Sequence, residues 1–298
     1  MSFADREGWI WLDGALVPWR EANVHVLSHA LHYASSVFEG ERAYGGEIFK
    51  LTEHSERLTR SAARLGFELP WSVAEIDAAC RAVVEANHLD YAYLRPIAWR
   101  GSDEMGVSAN RADNIHLAIT SWHWGAYFGE ESAARGIRLE LARWRRPAPD
   151  TAPTDAKASG LYMIATLAKN EAEAKGYDDA LMLDWRGQIA ESTGANVFFV
   201  KDGALHTPPP ECFLDGITRL TVIDLARARD IRVHERAIQP EELAGFDEMF
   251  LTGSAVEVMP VAEAGPWRFA LGPVARQLRA DYLDLVNGRS RVQESRAA

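Results

Sequence analysis

The chain has 298 residues, of which 47% are hydrophobic, and this is enough for a large core and for two domains. Its formal net charge of −11 argues against nucleic-acid and membrane partners, because both bind clustered positive charge. Cys80 and Cys212 form no CxxC pair, which fits a reducing compartment. Neither a signal sequence nor a run of roughly 18 apolar residues is visible. We therefore expect a cytoplasmic protein with small-molecule partners.

The first hundred residues predict hairpins and helices. Asp13-Gly14 separates two apolar runs and Gly45-Gly46 separates two more, and glycine accepts the positive φ that a tight hairpin turn needs. Thr52 is expected to cap a helix that ends near Leu65, because apolar residues follow it at helical spacing. A second helix is expected over residues 73–87.

The middle of the chain predicts a domain boundary. Residues 91–99 and 114–122 have the β-rich composition of strands. The stretch 123–136 then alternates aromatic, glycine and polar residues, which is typical of a linker. We therefore expect a small domain over residues 1–122 and a larger domain over residues 137–298.

Two segments of the second half suit a bound anion. Asp215-Gly-Ile-Thr218 opens a predicted helix, and the first turn of a helix presents N–H groups and a partial positive charge. Thr252-Gly-Ser-Ala255 follows a predicted strand and offers hydroxyls beside a glycine. Either segment alone is a weak signal, since both are common turn sequences.

A lysine and a glutamate are the main clue to chemistry. Lys157 is surrounded by small residues in Pro153-Thr-Asp-Ala-Lys-Ala-Ser-Gly160, and Glu191 follows downstream. A lysine that forms an imine needs space for a flat ring, and the ring nitrogen needs a carboxylate to keep it protonated. Taken singly, Lys157 fits a solvated lysine and Glu191 an ordinary strand-end carboxylate.

A series of short motifs runs through residues 9–286: His29-Ala-Leu-His-Tyr33, Phe38-Glu-Gly-Glu-Arg42, Tyr93-Leu-Arg-Pro96, Met105-Gly-Val107, Trp124-Gly-Ala-Tyr127, Lys157, Tyr162, Glu191-Ser-Thr-Gly-Ala-Asn196, Leu214-Asp-Gly-Ile-Thr-Arg219 and Thr252-Gly-Ser-Ala255. In this order they resemble the branched-chain amino-acid aminotransferases, which are fold-type IV pyridoxal-phosphate enzymes. The resemblance implies a two-domain α/β (α+β) architecture, with a smaller N-terminal α/β domain and a larger C-terminal pseudo-barrel domain.

The resemblance also implies how the cofactor, pyridoxal 5′-phosphate (PLP), is held. Lys157 would bind it covalently and then move a proton between the substrate α-carbon and the cofactor C4′. Glu191 would pair with the pyridine N1–H, and Tyr162 with the ring oxygen O3′. The phosphate would be held by Arg57, Ile217, Thr218 and Thr252.

On the substrate side, the resemblance implies transfer of the amino group of L-leucine, L-isoleucine or L-valine to 2-oxoglutarate, giving 2-oxo acids and L-glutamate. The residues implied in substrate binding are Tyr33, Phe38, Gly40, Tyr93, Arg95, Val107, Trp124, Tyr127, Ser254 and Ala255. Among them, Arg95 and Tyr33 would hold the distal carboxylate of glutamate. Tyr33 and Val107 would be lent across a subunit boundary, so a homodimer or a hexamer (a trimer of dimers) is expected.

Other functions stay open at this point. A D-amino-acid or (R)-amine transaminase, or an aminodeoxychorismate lyase, would share Lys157 and Glu191, and a non-catalytic α/β binding protein would keep the motifs as turns. Glu41 departs from the apolar residue common at its place, and a pairing with Arg100 is expected for it. The nine histidines do not cluster at ligand spacing, so no metal is expected.

Overall fold

The computed structural model describes residues 2–109, 114–125 and 127–289. The chain folds into two compact units, and each is built from two stretches of sequence. The first unit comprises Met1–Gly125 and Pro153–Met163, and the second comprises Ala126–Ala152 and Ile164–Ala298.

This division differs from the expected one in the position of the lysine segment. Residues 153–163 group with the first unit because their backbone is bonded there: Phe38 N–H donates to the Lys157 carbonyl at 3.1 Å, and Lys157 N–H donates to Ser61 Oγ at 3.0 Å. The expected linker, residues 123–136, includes Ala126, which lies outside the described residues.

The first unit is an antiparallel sheet with helices. Its strands hydrogen-bond in the order β2-β1-β7-β6-β4-β5, and β3 also pairs with β6. The strands are β1 (Trp9–Leu12), β2 (Ala15–Pro18), β3 (Ser36–Phe38), β4 (Glu41–Tyr44), β5 (Glu47–Ile48), β6 (Ala92–Arg100) and β7 (Ile115–Trp122). The helices are α1 (His29–Tyr33), α2 (Leu51–Arg64) and α3 (Val73–Ala86), with short 3₁₀ turns at Trp19–Glu21 and Ser159–Leu161.

Local sequence explains most of these elements. The turn between β1 and β2 has Asp13 at φ 50° and Gly14 at φ 108°, as the hairpin prediction requires. Ser72 caps α3 by accepting from the Glu75 N–H, while the Glu75 side chain accepts from the Ser72 N–H. The expected cap at Thr52 is wrong: α2 begins after Lys50, and the Thr52 hydroxyl donates to Asp77 at 2.6 Å instead.

The core of the first unit lies where α2 and α3 pack on the sheet. Leu58 of α2, Ile76 and Val83 of α3, and Leu94 and Ile119 of the sheet are fully buried in one cluster. Burying such apolar side chains is the main source of stability for a unit of this size.

The second unit is built around a sheet that closes on itself. Its strands run in the order β10-β9-β8-β15-β14-β11-β12-β13, and the additional pairing of β10 with β11 closes a ring through β9, β8, β15 and β14. The strands are β8 (Ile137–Arg146), β9 (Asp179–Asp184), β10 (Ile189–Ser192), β11 (Asn196–Lys201), β12 (Ala204–Thr207), β13 (Val233–Glu235), β14 (Glu248–Gly253), β15 (Glu257–Ala264) and β16 (Trp267–Arg268). The closed ring is the pseudo-barrel that the sequence predicted.

Helices and apolar side chains complete the second unit. Its helices are α4 (Glu130–Arg135), α5 (Tyr162–Ala174, whose first residues belong to the first unit), α6 (Ile217–Arg227) and α7 (Pro273–Val286), with a 3₁₀ helix at Pro240–Gly245. Ile137, Leu139, Val197, Phe199 and Leu251 are fully buried in one apolar cluster. In the described ranges, none of the helices combines the length and the apolar character needed to cross a membrane.

Candidate active site

The backbone of Lys157 is held in a fixed place in the first unit. Besides its bonds to Phe38 and Ser61, the adjacent Ala158 forms an isolated antiparallel bridge with Val37. Ala158 is 5% exposed, so its small size lets the segment pack closely against β3. The sequence pattern of small residues around the lysine therefore reflects close packing, and the lysine stem starts from a well-defined position.

The amine of Lys157 faces a phenol and an aromatic ring. Its Nζ donates to the Tyr162 hydroxyl at 2.8 Å and lies 5.0 Å from the centre of the Phe38 ring. The Phe38 and Tyr162 rings contact each other at a centroid distance of 4.7 Å. The lysine side chain is half-buried, so the amine has an apolar wall and a hydrogen-bond partner while it stays accessible to a small molecule.

Arg57 belongs to a buried ionic cluster on α2. Its Nε donates to Glu39 Oε1 at 2.7 Å, its Nη2 donates to Glu39 Oε2 at 2.8 Å, and His54 Nδ1 donates to the same Oε2 at 2.7 Å. Burial opposes ionisation of Glu39, but the Arg57 charge and the bonds from Arg57 and His54 outweigh it and hold the pKa of the carboxyl well below its usual range. Burial lowers the pKa of His54, so the imidazole is neutral.

Three aromatic residues, Phe38, Tyr93 and Trp124, form a row of rings in the first unit, and Arg95 lies between Phe38 and Tyr93. The Arg95 guanidinium carbon lies 4.5 Å from the Phe38 ring centre, and Arg95 Nη2 donates to the Tyr93 hydroxyl at 3.0 Å. The Tyr93 ring contacts the Trp124 ring at 4.6 Å. A Cβ at Gly40 would lie 2.1 Å from the Tyr93 hydroxyl, so glycine is required there. The structure thus brings together Lys157, Tyr162 and five of the predicted substrate residues of this unit: Phe38, Gly40, Tyr93, Arg95 and Trp124.

Two predicted residues of the first unit lie outside this row. Tyr33 is 43% exposed and packs on the His29 ring at 4.7 Å, and Val107 is 87% exposed. Both side chains are therefore exposed to solvent in the single chain.

In the second unit, Glu191 is buried beside a cation and an amide. Arg146 Nε lies 3.3 Å from Glu191 Oε1, and Asn196 Nδ2 donates to Glu191 Oε2 at 3.4 Å. Glu191 and Asn196 are register partners on β10 and β11. These two contacts fix the orientation of the carboxylate.

Asn196 connects this carboxylate to the start of α6. Its Nδ2 also donates to the Leu214 carbonyl at 3.0 Å, and a Cβ at Gly216 would lie 2.1 Å from its Oδ1. Ile217 and Thr218 form the first turn of α6, where backbone N–H groups have no partners within the helix. On the other side, Asn196 is the register partner of Thr252.

The hydroxyl oxygen of Thr252 is a buried polar atom in a position that suits a ligand. The residue is fully buried, and its Oγ1 has no hydrogen-bond partner among the described residues. Leaving a buried hydroxyl without a partner costs about 1–3 kcal/mol, so such an atom is expected to bind a group from outside the chain. The remaining predicted substrate residues also lie in the second unit. Ser254 and Ala255 are in the turn between β14 and β15. The Tyr127 ring packs on the Phe128 ring at a centroid distance of 4.7 Å.

The sequence did not reveal the partners of these residues. Glu39 lies within the Phe38-Glu-Gly motif but has no periodic signal, and Arg146 ends a run of cationic residues that resembles a solvated strand end. The expected pairing of Glu41 with Arg100 is wrong. Arg100 donates to the carbonyls of Leu65, Gly66 and Ala109, while Glu41 is fully buried next to the Cys80 thiol.

Comparison with known proteins gives a consistent result. A family model described as class IV amino-transferase matches residues 36–264. A branched-chain-amino-acid aminotransferase of Pseudomonas aeruginosa is 42% identical over 297 residues, which cover 97% of this chain and 96% of that protein.

Solved structures agree with the sequence comparison. The crystal structure of the Escherichia coli branched-chain amino acid aminotransferase matches with a TM-score of 0.94 and 38% identity, covering 97% of this chain and 98% of that one. The crystal structure of the branched-chain amino acid aminotransferase from Thermobaculum terrenum in its PLP form matches with a TM-score of 0.87 and 33% identity, covering 95% of each chain. Within the described ranges, no group of three or more His, Cys, Asp or Glu side chains is arranged to hold a metal ion.

Proposed function

Because the chain belongs to the class IV aminotransferases, we propose that it transfers the amino group of L-leucine, L-isoleucine or L-valine to 2-oxoglutarate, with PLP bound through Lys157. The products are the branched-chain 2-oxo acids and L-glutamate. The observation that carries this proposal is the half-buried Lys157 amine, which donates to Tyr162 and lies against the Phe38 ring.

The residues of each unit fit this cofactor. In the second unit, the buried and unpartnered hydroxyl of Thr252 suits a phosphate oxygen, and the N-terminal turn of α6 suits the phosphate charge. Glu191, held by Arg146 and Asn196, suits a protonated ring nitrogen. In the first unit, Lys157 has the amine and Tyr162 the hydroxyl that the ring substituents need.

The chain's own residues then divide the chemistry. Bound PLP supplies an electron-withdrawing ring that stabilises the negative charge left when the substrate loses its α-proton. Lys157 Nζ would hold the cofactor through its aldehyde and, as a free amine, would move a proton between the substrate α-carbon and the cofactor C4′. Glu191 would keep the ring nitrogen protonated, and Tyr162 would bind the ring hydroxyl oxygen.

The aromatic row of the first unit supports the choice of substrates. Phe38 and Trp124 offer apolar surface for a branched side chain, while Arg95 offers a cation for the distal carboxylate of glutamate. Arg95 Nε is buried without a hydrogen-bond partner among the described residues, so an incoming carboxylate would satisfy it. Tyr93, Ser254 and Ala255 are assigned to the α-carboxylate.

The protein is proposed to act as a homodimer or a trimer of dimers in the cytoplasm. Large apolar side chains are exposed before and on α1, among them Val26 at 70% and Leu31 at 64%, and Val107 is exposed as well. A second subunit would cover such side chains and receive Tyr33 and Val107. Both cysteines are free and buried, which suits a reducing compartment.

A half-reaction panel tests the function. The purified full-length protein is mixed with single L- and D-amino acids, and the visible absorption of its bound cofactor is followed. Conversion by L-leucine, L-isoleucine, L-valine and L-glutamate is expected, with little change from the D-isomers. Rapid conversion by D-amino acids alone would instead identify a D-amino-acid transaminase, and a chain without a cofactor band after PLP addition would remove the enzymatic assignment.

A further inference from the structure

Glu39 is a fully enclosed carboxylate in the first unit. The residue is 0% exposed, and both of its oxygens accept hydrogen bonds from the α2 side chains Arg57 and His54. A fourth donor, the Gly40 N–H, lies 3.3 Å from Oε2. A carboxylate with this many donors has one orientation, because any rotation would break charge-assisted bonds in a buried place.

The contact between Glu39 and Arg57 is a two-point contact along one edge of the guanidinium. It uses Nε and Nη2, so the Nη1 edge is left to face another acceptor. A planar guanidinium that makes two hydrogen bonds along one edge cannot rotate about its long axis, whereas a free arginine side chain samples many rotamers. Glu39 therefore determines the direction in which Arg57 presents its remaining N–H groups.

The charge states of Glu39 and His54 indicate that Glu39 acts on Arg57 by fixing its position and not by raising its positive charge. Glu39 stays ionised, since the Arg57 charge and the hydrogen bonds outweigh its burial, and His54 is neutral because burial lowers its pKa. A carboxylate beside an arginine partly cancels the attraction of that arginine for an anion. If Arg57 served only as a positive charge, Glu39 would weaken it, so the benefit of Glu39 must come from fixing the guanidinium.

We propose that Glu39 is a positioning residue that fixes the Arg57 guanidinium for the phosphate of PLP, with His54 holding Glu39 from the other side. The inference rests on the proposed function, because it assumes that Arg57 binds the cofactor phosphate. Glu39 itself is not expected to touch the cofactor, since its oxygens are already occupied by Arg57 and His54.

The test compares PLP with pyridoxal, which has the same ring and no phosphate. Full-length wild type, Glu39→Gln and the control Glu47→Gln, an exposed glutamate on β5, are freed of cofactor and titrated with each compound. We expect Glu39→Gln to weaken PLP binding about ten- to a hundredfold, as loss of an outer-shell partner does at other sites, and to leave pyridoxal binding unchanged. Glu47→Gln should bind both compounds like the wild type.

A double-mutant cycle separates positioning from general stability. In an Arg57→Ala background, Glu39→Gln should cause no further loss of PLP affinity, because the guanidinium that it orients is absent. Equal weakening of PLP and pyridoxal by Glu39→Gln, or a full extra loss in the Arg57→Ala background, would overturn the inference. If Glu39→Gln does not fold, Glu39→Asp decides, since it keeps the charge but is too short for the two-point contact: a phosphate-specific loss supports positioning, and wild-type PLP affinity refutes it.

The two proposals fail in different ways. A wild-type protein that binds neither PLP nor pyridoxal removes the proposed function and this inference with it. A wild-type protein that binds PLP more tightly than pyridoxal, combined with a Glu39→Gln variant that keeps the wild-type affinity for PLP, removes only the positioning of Arg57 by Glu39.

Discussion

Lys157 Nζ donates a 2.8 Å hydrogen bond to the hydroxyl of Tyr162, while the lysine's backbone is bonded separately to Phe38 and Ser61. The backbone thus supports the local fold independently of the side chain, to which we assign the chemistry. We expect Lys157→Ala to reduce turnover of leucine with 2-oxoglutarate by more than about a thousandfold while the protein remains folded. Steady-state rates and circular dichroism measure the two effects.

The matched control for this variant is Lys201→Ala, because Lys201 is an exposed lysine at the end of β11. It should retain the wild-type rate. Transamination by Lys157→Ala at the wild-type rate would end the assignment of Lys157 as the reactive amine.

Arg95→Ala should separate the two substrates of the reaction. Arg95 lies over Phe38 and beside the Tyr93 hydroxyl, and a charge-assisted bond to a carboxylate is worth about 1.5–3 kcal/mol. We therefore expect kcat/KM to fall about ten- to a hundredfold with glutamate or 2-oxoglutarate and less with leucine. The exposed Arg81→Ala variant is the control, and equal losses on both substrates would remove Arg95 from the distal-carboxylate site.

Gly216→Ala should disturb the residues of the second unit that we propose bind the cofactor. The new Cβ would lie 2.1 Å from Asn196 Oδ1, so Asn196 must move away from Glu191 and the Leu214 carbonyl. Overpacking of this kind costs about 1–3 kcal/mol, and if the whole cost falls on the bound state, PLP affinity drops by about five- to 150-fold. PLP titration followed by fluorescence measures the loss.

Gly245→Ala provides the comparison for that variant. A Cβ at Gly245 would meet only Lys201 Nζ, at an ordinary 3.6 Å, so PLP affinity should not change. Should Gly216→Ala bind PLP as tightly as Gly245→Ala, the assignment of the α6 start to the phosphate would be wrong.

Ionisation of Glu41 should make the free energy of unfolding depend on pH. Burial, followed by the nearby charges of Glu39 and Asp77, raises the pKa of Glu41 well above its usual range. Since the folded-state pKa lies above the unfolded value, the stability associated with the neutral acid is complete below the unfolded pKa and is lost as the pH rises through the folded pKa. Glu41→Gln cannot ionise, so its free energy of unfolding relative to that of wild type should grow as the pH rises above the usual glutamate pKa of about 4.3.

Urea unfolding at several pH values measures this difference, and the exposed Glu85→Gln on α3 is the control. Because Glu41 is fully buried, we also expect Glu41→Gln to leave the ranking of amino-acid substrates unchanged. A pH-independent difference between Glu41→Gln and wild type would contradict the prediction.

Local patterns in the sequence predicted much of the fold. The Asp13-Gly14 turn and the α3 helix follow from residues that are neighbours in the chain, because turn conformation and helix capping depend on a few adjacent positions. The motif order predicted the family and the closed sheet of the second unit, and both are confirmed. The roles given to individual site residues stay predictions.

Contacts between residues that are far apart in the chain could not be predicted from the sequence. The bond between Arg57 and Glu39 spans 18 positions, and the helix face with Arg57, Arg60 and Arg64 looks like a solvated stripe until the fold buries one member. The same holds for Glu41, whose alternation on a strand does not tell which face meets the core. Burial of a charge depends on the packing of several elements, so no local pattern encodes it.

The split of the first unit along the chain has a consequence for synthesis on the ribosome. Met1–Gly125 emerges before the stretch Ala126–Ala152 of the second unit, and only then does Pro153–Met163 follow with the lysine. A nascent chain can thus assemble the β6–β7 sheet and the Arg57 cluster before Lys157 has been added. If Lys157 anchors the cofactor as proposed, covalent attachment has to wait until the chain has been extended past residue 157.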